Sequence, residues 1–219
     1  MNILVCISNV PDTTSKINFV ENDSKFDTSG VQFVINPNDE FGLTKAVWMK
    51  ESNNANVTVL TVGEQSVEAT LRKCLAIGAD KAVRIDCPAN DAYSVAKEIE
   101  AHCEQVKYDL IICGRESIDY NGGLVPGLLA GLLNFNFVTN CVNLEIKGSK
   151  ATFSREMSGG TEIETFEVTV SDNSGATIET FEVTTETSLD TGLTEISIEP
   201  MDIEVPATTT ETVAEVETQ

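Results

Sequence analysis

The sequence predicts an α/β fold: a doubly wound, mostly parallel sheet followed by a β-hairpin extension. Two observations lead there. From residue 3 to about 134, short β-branched runs alternate with segments of helical period, the pattern of parallel strands joined by crossover helices. From 137 to 157 this alternation stops, and strand-like composition surrounds the turn-rich tetrad Lys147-Gly148-Ser149-Lys150.

Taken in order, Ile3–Ile7 reads as the first buried strand, Val31–Ile35 as a short extended piece, and Val57–Val62, Ala82–Ile85 and Leu110–Cys113 as three further strands. A helix is expected after Asn36-Pro37, capped by Asn38 or Asp39, with Leu43, Ala46 and Val47 as its buried stripe. Val67, Leu71, Cys74 and Leu75 form the stripe of the next helix. Ala92, Val95, Ala96, Ile99, Cys103 and Val106 form that of the third, and Val125–Leu133 is the last. Trp48 is spaced to pack in the core.

Residues 1–160 therefore read as one doubly wound, Rossmann-like α/β domain with a terminal hairpin, a fold class that often binds nucleotides. Residues 161–205 form an acidic, Thr/Glu-rich, β-like extension in which Ile-Glu-Thr-Phe-Glu-Val-Thr occurs at 163–169 and again at 178–184. Asp172-Asn173-Ser174-Gly175 has the chemistry of a turn between the two copies. Residues 206–219 are too poor in apolar groups to offset the entropy of ordering them and read as a disordered tail.

Charge and cysteine usage exclude several classes. The formal net charge is -21, and residues 151–219 hold sixteen acidic side chains against a single basic one. Such a field repels phosphate backbones and acidic lipid surfaces, so neither nucleic acid nor a membrane surface is an expected partner. No apolar run approaches the roughly 20 residues of a membrane span, and Met1–Ile7 lacks a basic leader, so a cytoplasmic protein is expected. The six cysteines have no C-x-x-C pair and only His102 to complete a metal set; Cys6, Cys113 and Cys141 fall in predicted strands as small hydrophobes. His102 has no nucleophile in register, and no catalytic residue is assigned.

In doubly wound sheets ligands bind beyond the carboxyl ends of the strands. The most informative loop there is Gly114-Arg115-Glu116-Ser117-Ile118-Asp119-Tyr120-Asn121-Gly122-Gly123, which leads through Leu124 and Val125 into a helix. Glycines admit close backbone approach, and the amides of the helix start favour an anion. By composition alone this is an ordinary strand-to-helix connection. Ser158-Gly159-Gly160-Thr161 reads as a plain turn.

The order of motifs adds to that reading. Leu4-Val5-Cys6-Ile7 with Val10-Pro11-Asp12, Ile35-Asn36-Pro37 with Asp39-Glu40, Leu75-Ala76-Ile77-Gly78-Ala79-Asp80 and Gly114-Arg115-Glu116-Ser117-Ile118-Asp119 together resemble beta subunits of electron-transfer flavoproteins. The resemblance covers residues 1 to about 160. It implies a heterodimer with an electron-transfer flavoprotein alpha subunit that contributes most of an FAD site, with AMP held by this chain. Electrons would pass from acyl-CoA or related dehydrogenases through FAD to a downstream acceptor. Carried over by motif, Cys6, Asn36, Pro37, Asn38, Asp39, Val62 and the stretch Gly114 to Val125 would line the nucleotide pocket. Asn38 and the Pro11–Thr13 loop would face the flavin edge.

Two departures stand out. Tyr120-Asn121-Gly122-Gly123 replaces a stretch that in the family commonly has a second acid and a Gln, leaving backbone donors in that place. Residues 161–219 contain no Lys or Arg, where relatives continue with a basic segment that embraces the alpha subunit. Rival readings are a bifurcating-type beta subunit with a second FAD, a non-redox ATP- or AMP-binding signalling or stress module, and a paralogue that binds proteins without transferring electrons.

Overall fold

A computed structural model of the chain describes residues 1–147, 150–158, 160–167 and 184–189. Alternation along the first strand decides its layering. Ile3, Val5 and the following Ile7 enter one apolar cluster, while Leu4 and Cys6 enter another on the opposite face. This strand, β1 (Asn2–Cys6), is an inner strand of a four-stranded parallel sheet. The first small strands along the chain are β2 (Asn9–Pro11), β3 (Phe19–Val20), β4 (Lys25–Phe26) and β5 (Phe33–Ile35). The remaining core strands are β6 (Asn56–Val62), β7 (Lys81–Ile85) and β8 (Leu110–Cys113), in the order β7-β6-β1-β8.

Helices α1 (Pro37–Asn53) and α2 (Glu68–Ile77) bring Leu43, Ala46, Met49, Leu71 and Cys74 to the first face. Helices α3 (Ala92–Gln105) and α4 (Val125–Leu133) bring Ala96, Ile99, Cys103 and Leu129 to the second. Each large aliphatic side chain buried in this way contributes roughly 1.5–3 kcal/mol. The doubly wound, mostly parallel sheet is thus as expected. After β7 the chain returns through α3 to the far side of β1, so the connections around β1 and β8 diverge at their carboxyl ends.

Helix ends follow local chemistry. Pro37 occupies the first turn of α1, where its missing amide costs no hydrogen bond, and Asp39 and Glu40 face the positive end of the helix dipole. Asn54 closes the helix in the left-handed region at φ 52°. The cap itself differs from expectation: Asn36, not Asn38 or Asp39, is the N-cap residue, and its side chain makes no capping bond because it is committed elsewhere. Asp91 and Ser94 cap α3 reciprocally.

Several expectations are corrected. The short extended piece expected at 31–35 is present as Phe33–Ile35, paired antiparallel with β2 outside the core sheet, whereas other placements differ. Trp48 is 63% exposed, because the buried face of α1 runs through Leu43, Ala46 and Met49 and leaves position 48 on the other side. Leu75 is exposed, and Val106 follows α3 as its exposed C-cap. Cys141 is exposed at the start of its strand, where Leu144 and not the thiol turns inward.

The predicted hairpin is present as β9 (Cys141–Lys147) and β10 (Lys150–Met157), with Leu144 and Ala151 entering the first cluster. Two more strands, β11 (Gly160–Glu167) and β12 (Thr184–Leu189), complete an antiparallel sheet of order β12-β11-β10-β9. Arg155 and Glu162 are cross-strand partners in it and form a largely buried ion pair, Arg155 Nε donating to Glu162 Oε2 at 2.7 Å. The turn expected at 172–175 and the tail from 206 lie outside the described residues.

Candidate functional site at the carboxyl rim of the sheet

Gly114, the first residue after β8, and Ser8, just past β1, meet at one side chain. Asp39 Oδ1 accepts the Gly114 amide at 2.8 Å and Asp39 Oδ2 accepts the Ser8 amide at 2.7 Å. Asn36, fully buried, donates its Nδ2 to the Glu116 carbonyl at 2.8 Å and accepts the Ile118 amide on Oδ1 at 3.2 Å. Asn38 Nδ2 donates to the same Glu116 carbonyl at 2.8 Å. The Asn36-Pro37-Asn38-Asp39 tetrapeptide thus spends its polar atoms on holding the 114–118 backbone.

Burial pushes the Asp39 carboxyl up to about 6, against the opposing pull of the Ser8, Asn36 and Gly114 hydrogen bonds. Cys6 lies beside Cys113 in register, and a hydrogen bond to that thiol, together with burial, raises its pKa well above the usual range. Its side chain is in the second cluster, which leaves main-chain groups as its means of reaching a ligand. Val62 ends β6, on the side of β1 away from β8, and packs against the same cluster.

The loop closes on itself. Ser117 N–H donates to the Gly122 carbonyl at 2.9 Å, and Asn121 between them takes a left-handed φ of 56°. Asp119 Oδ1 accepts the Tyr120 amide at 3.0 Å, and Tyr120 is exposed with its ring over Gly122. A Cβ at Gly122 would lie 2.4 Å from that ring, and one at Gly123 would lie 3.1 Å from the Arg115 carbonyl. Arg115 and Glu116 form a loose, exposed pair at 3.9 Å. Among the described residues, Ser117 Oγ is the buried side-chain polar atom without a hydrogen-bond partner. A buried hydroxyl in need of a partner, two glycines where a side chain would meet the Tyr120 ring or the Arg115 carbonyl, and the start of α4 at Val125 suit a polar, anionic ligand.

A deep cleft is adjacent to this loop. About 930 Å³ opens along the outer edge of β8, between α1, α4 and the β9–β10 hairpin; Phe41, Trp48, Phe135 and Phe137 line it, with Gly114, Arg115 and Gly123 at one end. Asn38 reaches this cleft as well, whereas Cys6, Asn36, Pro37, Asp39 and Val62, and from the loop the stretch 116–122 with Leu124 and Val125, do not line it. The sequence carried no signal for it, because the cleft exists only where β8 is the outer strand. Ser8 was missed for a related reason: it acts through its amide, which any residue supplies. At the Pro11–Thr13 loop, Asp12 accepts from the Thr14 amide and hydroxyl, which fixes the turn and lowers the Asp12 pKa.

Comparison with known proteins places this architecture. The electron transfer flavoprotein domain family matches residues 23–183. The electron transfer flavoprotein subunit beta of Bacillus subtilis is 34% identical over 166 residues, covering 74% of this chain and 64% of that protein. The subunit of the same name from Thermoanaerobacterium thermosaccharolyticum is 37% identical over 169 residues, with the same coverage of 74% and 64%. The caffeyl-CoA reductase–Etf complex subunit CarD of Acetobacterium woodii is 34% identical over 171 residues, again covering 74% and 64%. The chain thus spans less than two thirds of the length of these relatives. A doubly wound sheet with a pinned, glycine-bearing loop at its rim, matched to one family over most of its length, gives a single assignment: the chain belongs to the electron transfer flavoprotein domain family, and the relatives it resembles include beta subunits.

Proposed function

We propose that this chain is the beta subunit of a heterodimeric electron carrier, taking electrons from acyl-CoA or related dehydrogenases and delivering them to a downstream acceptor. FAD, shared with an alpha subunit, supplies the redox chemistry when bound. AMP on the 114–125 loop serves as structural support. The observation that carries the reading is the loop itself: its backbone is held by Asn36, Asn38 and Asp39, and it contains the buried, unpartnered Ser117 hydroxyl.

In this reading the chain's residues bind and orient and transfer no proton. The amides around Gly122 and Gly123 and the first turn of α4 take the anionic end of the nucleotide, and Ser117 Oγ takes a further polar contact. Asn38 positions the loop, since its amide nitrogen already donates to Glu116. The Pro11–Thr13 turn supplies one wall toward the flavin. No helix among the described residues is long and apolar enough to cross a membrane, and no disulfide forms among them; both observations support a cytoplasmic setting.

A second reading, a bifurcating-type subunit with FAD in place of AMP, is favoured by one observation, the likeness to a subunit of a caffeyl-CoA reductase–Etf complex. Co-expression with an alpha-type chain, followed by chromatography of the released nucleotides, tests both. One FAD and one AMP per heterodimer is the expected result; two FAD would establish the second reading, and a colourless complex without nucleotide would refute both.

A further inference from the structure

Two cysteines stand side by side beneath the rim. Cys6 ends β1, Cys113 ends β8, and the two are register partners across this parallel pair of strands. Neighbouring strands run about 4.8 Å apart, so paired Cα atoms fall inside the roughly 4.4–6.8 Å over which disulfides form. Both side chains turn to the same face of the sheet and meet in the second apolar cluster. A hydrogen bond to Cys113, together with burial, holds Cys6 in its protonated form.

The pair is asymmetric. Cys6 is 8% exposed, whereas Cys113 is half-buried and lines the cleft along the outer edge of β8, so a small solute reaches one sulfur and not the other. The remaining thiols are placed differently. Cys103 enters the same cluster from α3, Cys74 belongs to the cluster on the opposite face, and Cys87 and Cys141 lie outside both.

We propose that Cys6 and Cys113 form a reversible disulfide, a modification site at which peroxide entering the cleft oxidises Cys113 and Cys6 resolves the product. The deprotonated Cys113 sulfur attacks one oxygen of hydrogen peroxide. The O–O bond breaks, Cys113 becomes a sulfenic acid, and the second oxygen takes up the proton and leaves as water. The Cys6 sulfur then attacks the Cys113 sulfur; the S–S bond forms, and the sulfenic oxygen leaves with the Cys6 proton as a second water. Two thiols thus lose two electrons and two protons, and one peroxide becomes two waters. Closing the bond draws the Cβ atoms to about 3.8 Å, nearer than the strand spacing, and that strain keeps the product easily reduced. The bridge joins the two strands whose following residues, Ser8 and Gly114, are held by Asp39.

The test exposes the full chain to hydrogen peroxide, alkylates the remaining thiols and maps linked peptides by mass spectrometry. The expected result is a Cys6–Cys113 link, with the alkylated fractions of both residues falling together and returning after dithiothreitol. Cys6→Ser should stop the reaction at a Cys113 sulfenic acid that dimedone traps, and Cys113→Ser should leave Cys6 reduced through the same exposure. Linkage of Cys113 to Cys103, or to Cys141 on the cleft wall, overturns the proposal. So does a wild-type chain in which Cys87 is oxidised while Cys6 and Cys113 both remain open to alkylation. Should either variant fail to fold, the wild-type map decides alone.

Discussion

The Asn36 side-chain amide donates to the Glu116 carbonyl at 2.8 Å, joining the start of one helix to a loop eighty residues further along the chain. Its oxygen accepts the Ile118 amide at 3.2 Å, so one fully buried residue satisfies a donor and an acceptor of a loop that has no regular partner.

Asn36→Ala should therefore leave both loop groups buried and unpaired. The expected loss is about 2–4 kcal/mol of stability, together with loss of nucleotide retention. Denaturant unfolding of the variant checks the first part, and nucleotide content after purification checks the second.

Two glycines make an internal control. At Gly114 a Cβ would meet the Asp39 carboxylate at 2.1 Å and the Asp39 backbone nitrogen at 2.8 Å, and a helix start cannot yield; at Gly131 in α4 nothing lies within 4 Å. Gly114→Ala is expected to cost about 3 kcal/mol or more, while Gly131→Ala should stabilise by roughly 0.5–1 kcal/mol. Thermal melts of the two variants should move in opposite directions.

The pH dependence of folding isolates Asp39. Its pKa is about 6 when folded and near 3.8 in the unfolded chain, so the folded state binds the extra proton between those values. Its contribution to stability is fully present below about 3.8 and is lost as pH rises through about 6. The stability of wild type minus that of Asp39→Asn should fall by about 2.4 kcal/mol from pH 4 to pH 7. A flat difference across that range, measured by urea unfolding, would contradict the assigned environment.

Trp48 tests the corrected side of α1. At 63% exposure it loses little contact on truncation, so Trp48→Ser should change stability by no more than about 0.5 kcal/mol. A larger loss would mean that the side chain is packed in the core after all.

Much of this arrangement was legible in the sequence, and the parts that were not share a cause. The β-branched runs at 3–7 and 57–62 read correctly because an inner strand buried on both faces needs little beyond apolar side chains, and those at 82–85 and 110–113 share the same short apolar character at the sheet edges. The 114–123 connection and helix α4 at Val125–Leu133 are legible too, while a ligand role for that loop comes from the family resemblance and not from its glycines. What periodicity could not give was direction. The family resemblance makes Asn36 one lining residue among several, but its amide is spent on a distant carbonyl; Trp48 has core-like spacing yet faces outward. In the sequence Asp39 is a helix-capping candidate and, by the resemblance, a pocket-lining residue; only the convergence of β1 and β8 makes it the link between two loops.

The nucleotide content of the heterodimer carrying Gly122→Val, set against that of wild type, tests the central claim most directly. Tyr120 is exposed and can swing away from the new side chain, so the variant should fold with a melting temperature close to that of wild type while the backbone face of the loop is filled. One FAD and one AMP released from wild type, with AMP lost and FAD kept in the variant, is the predicted result; a folded variant that retains AMP in full would contradict the placement of the adenylate on this loop.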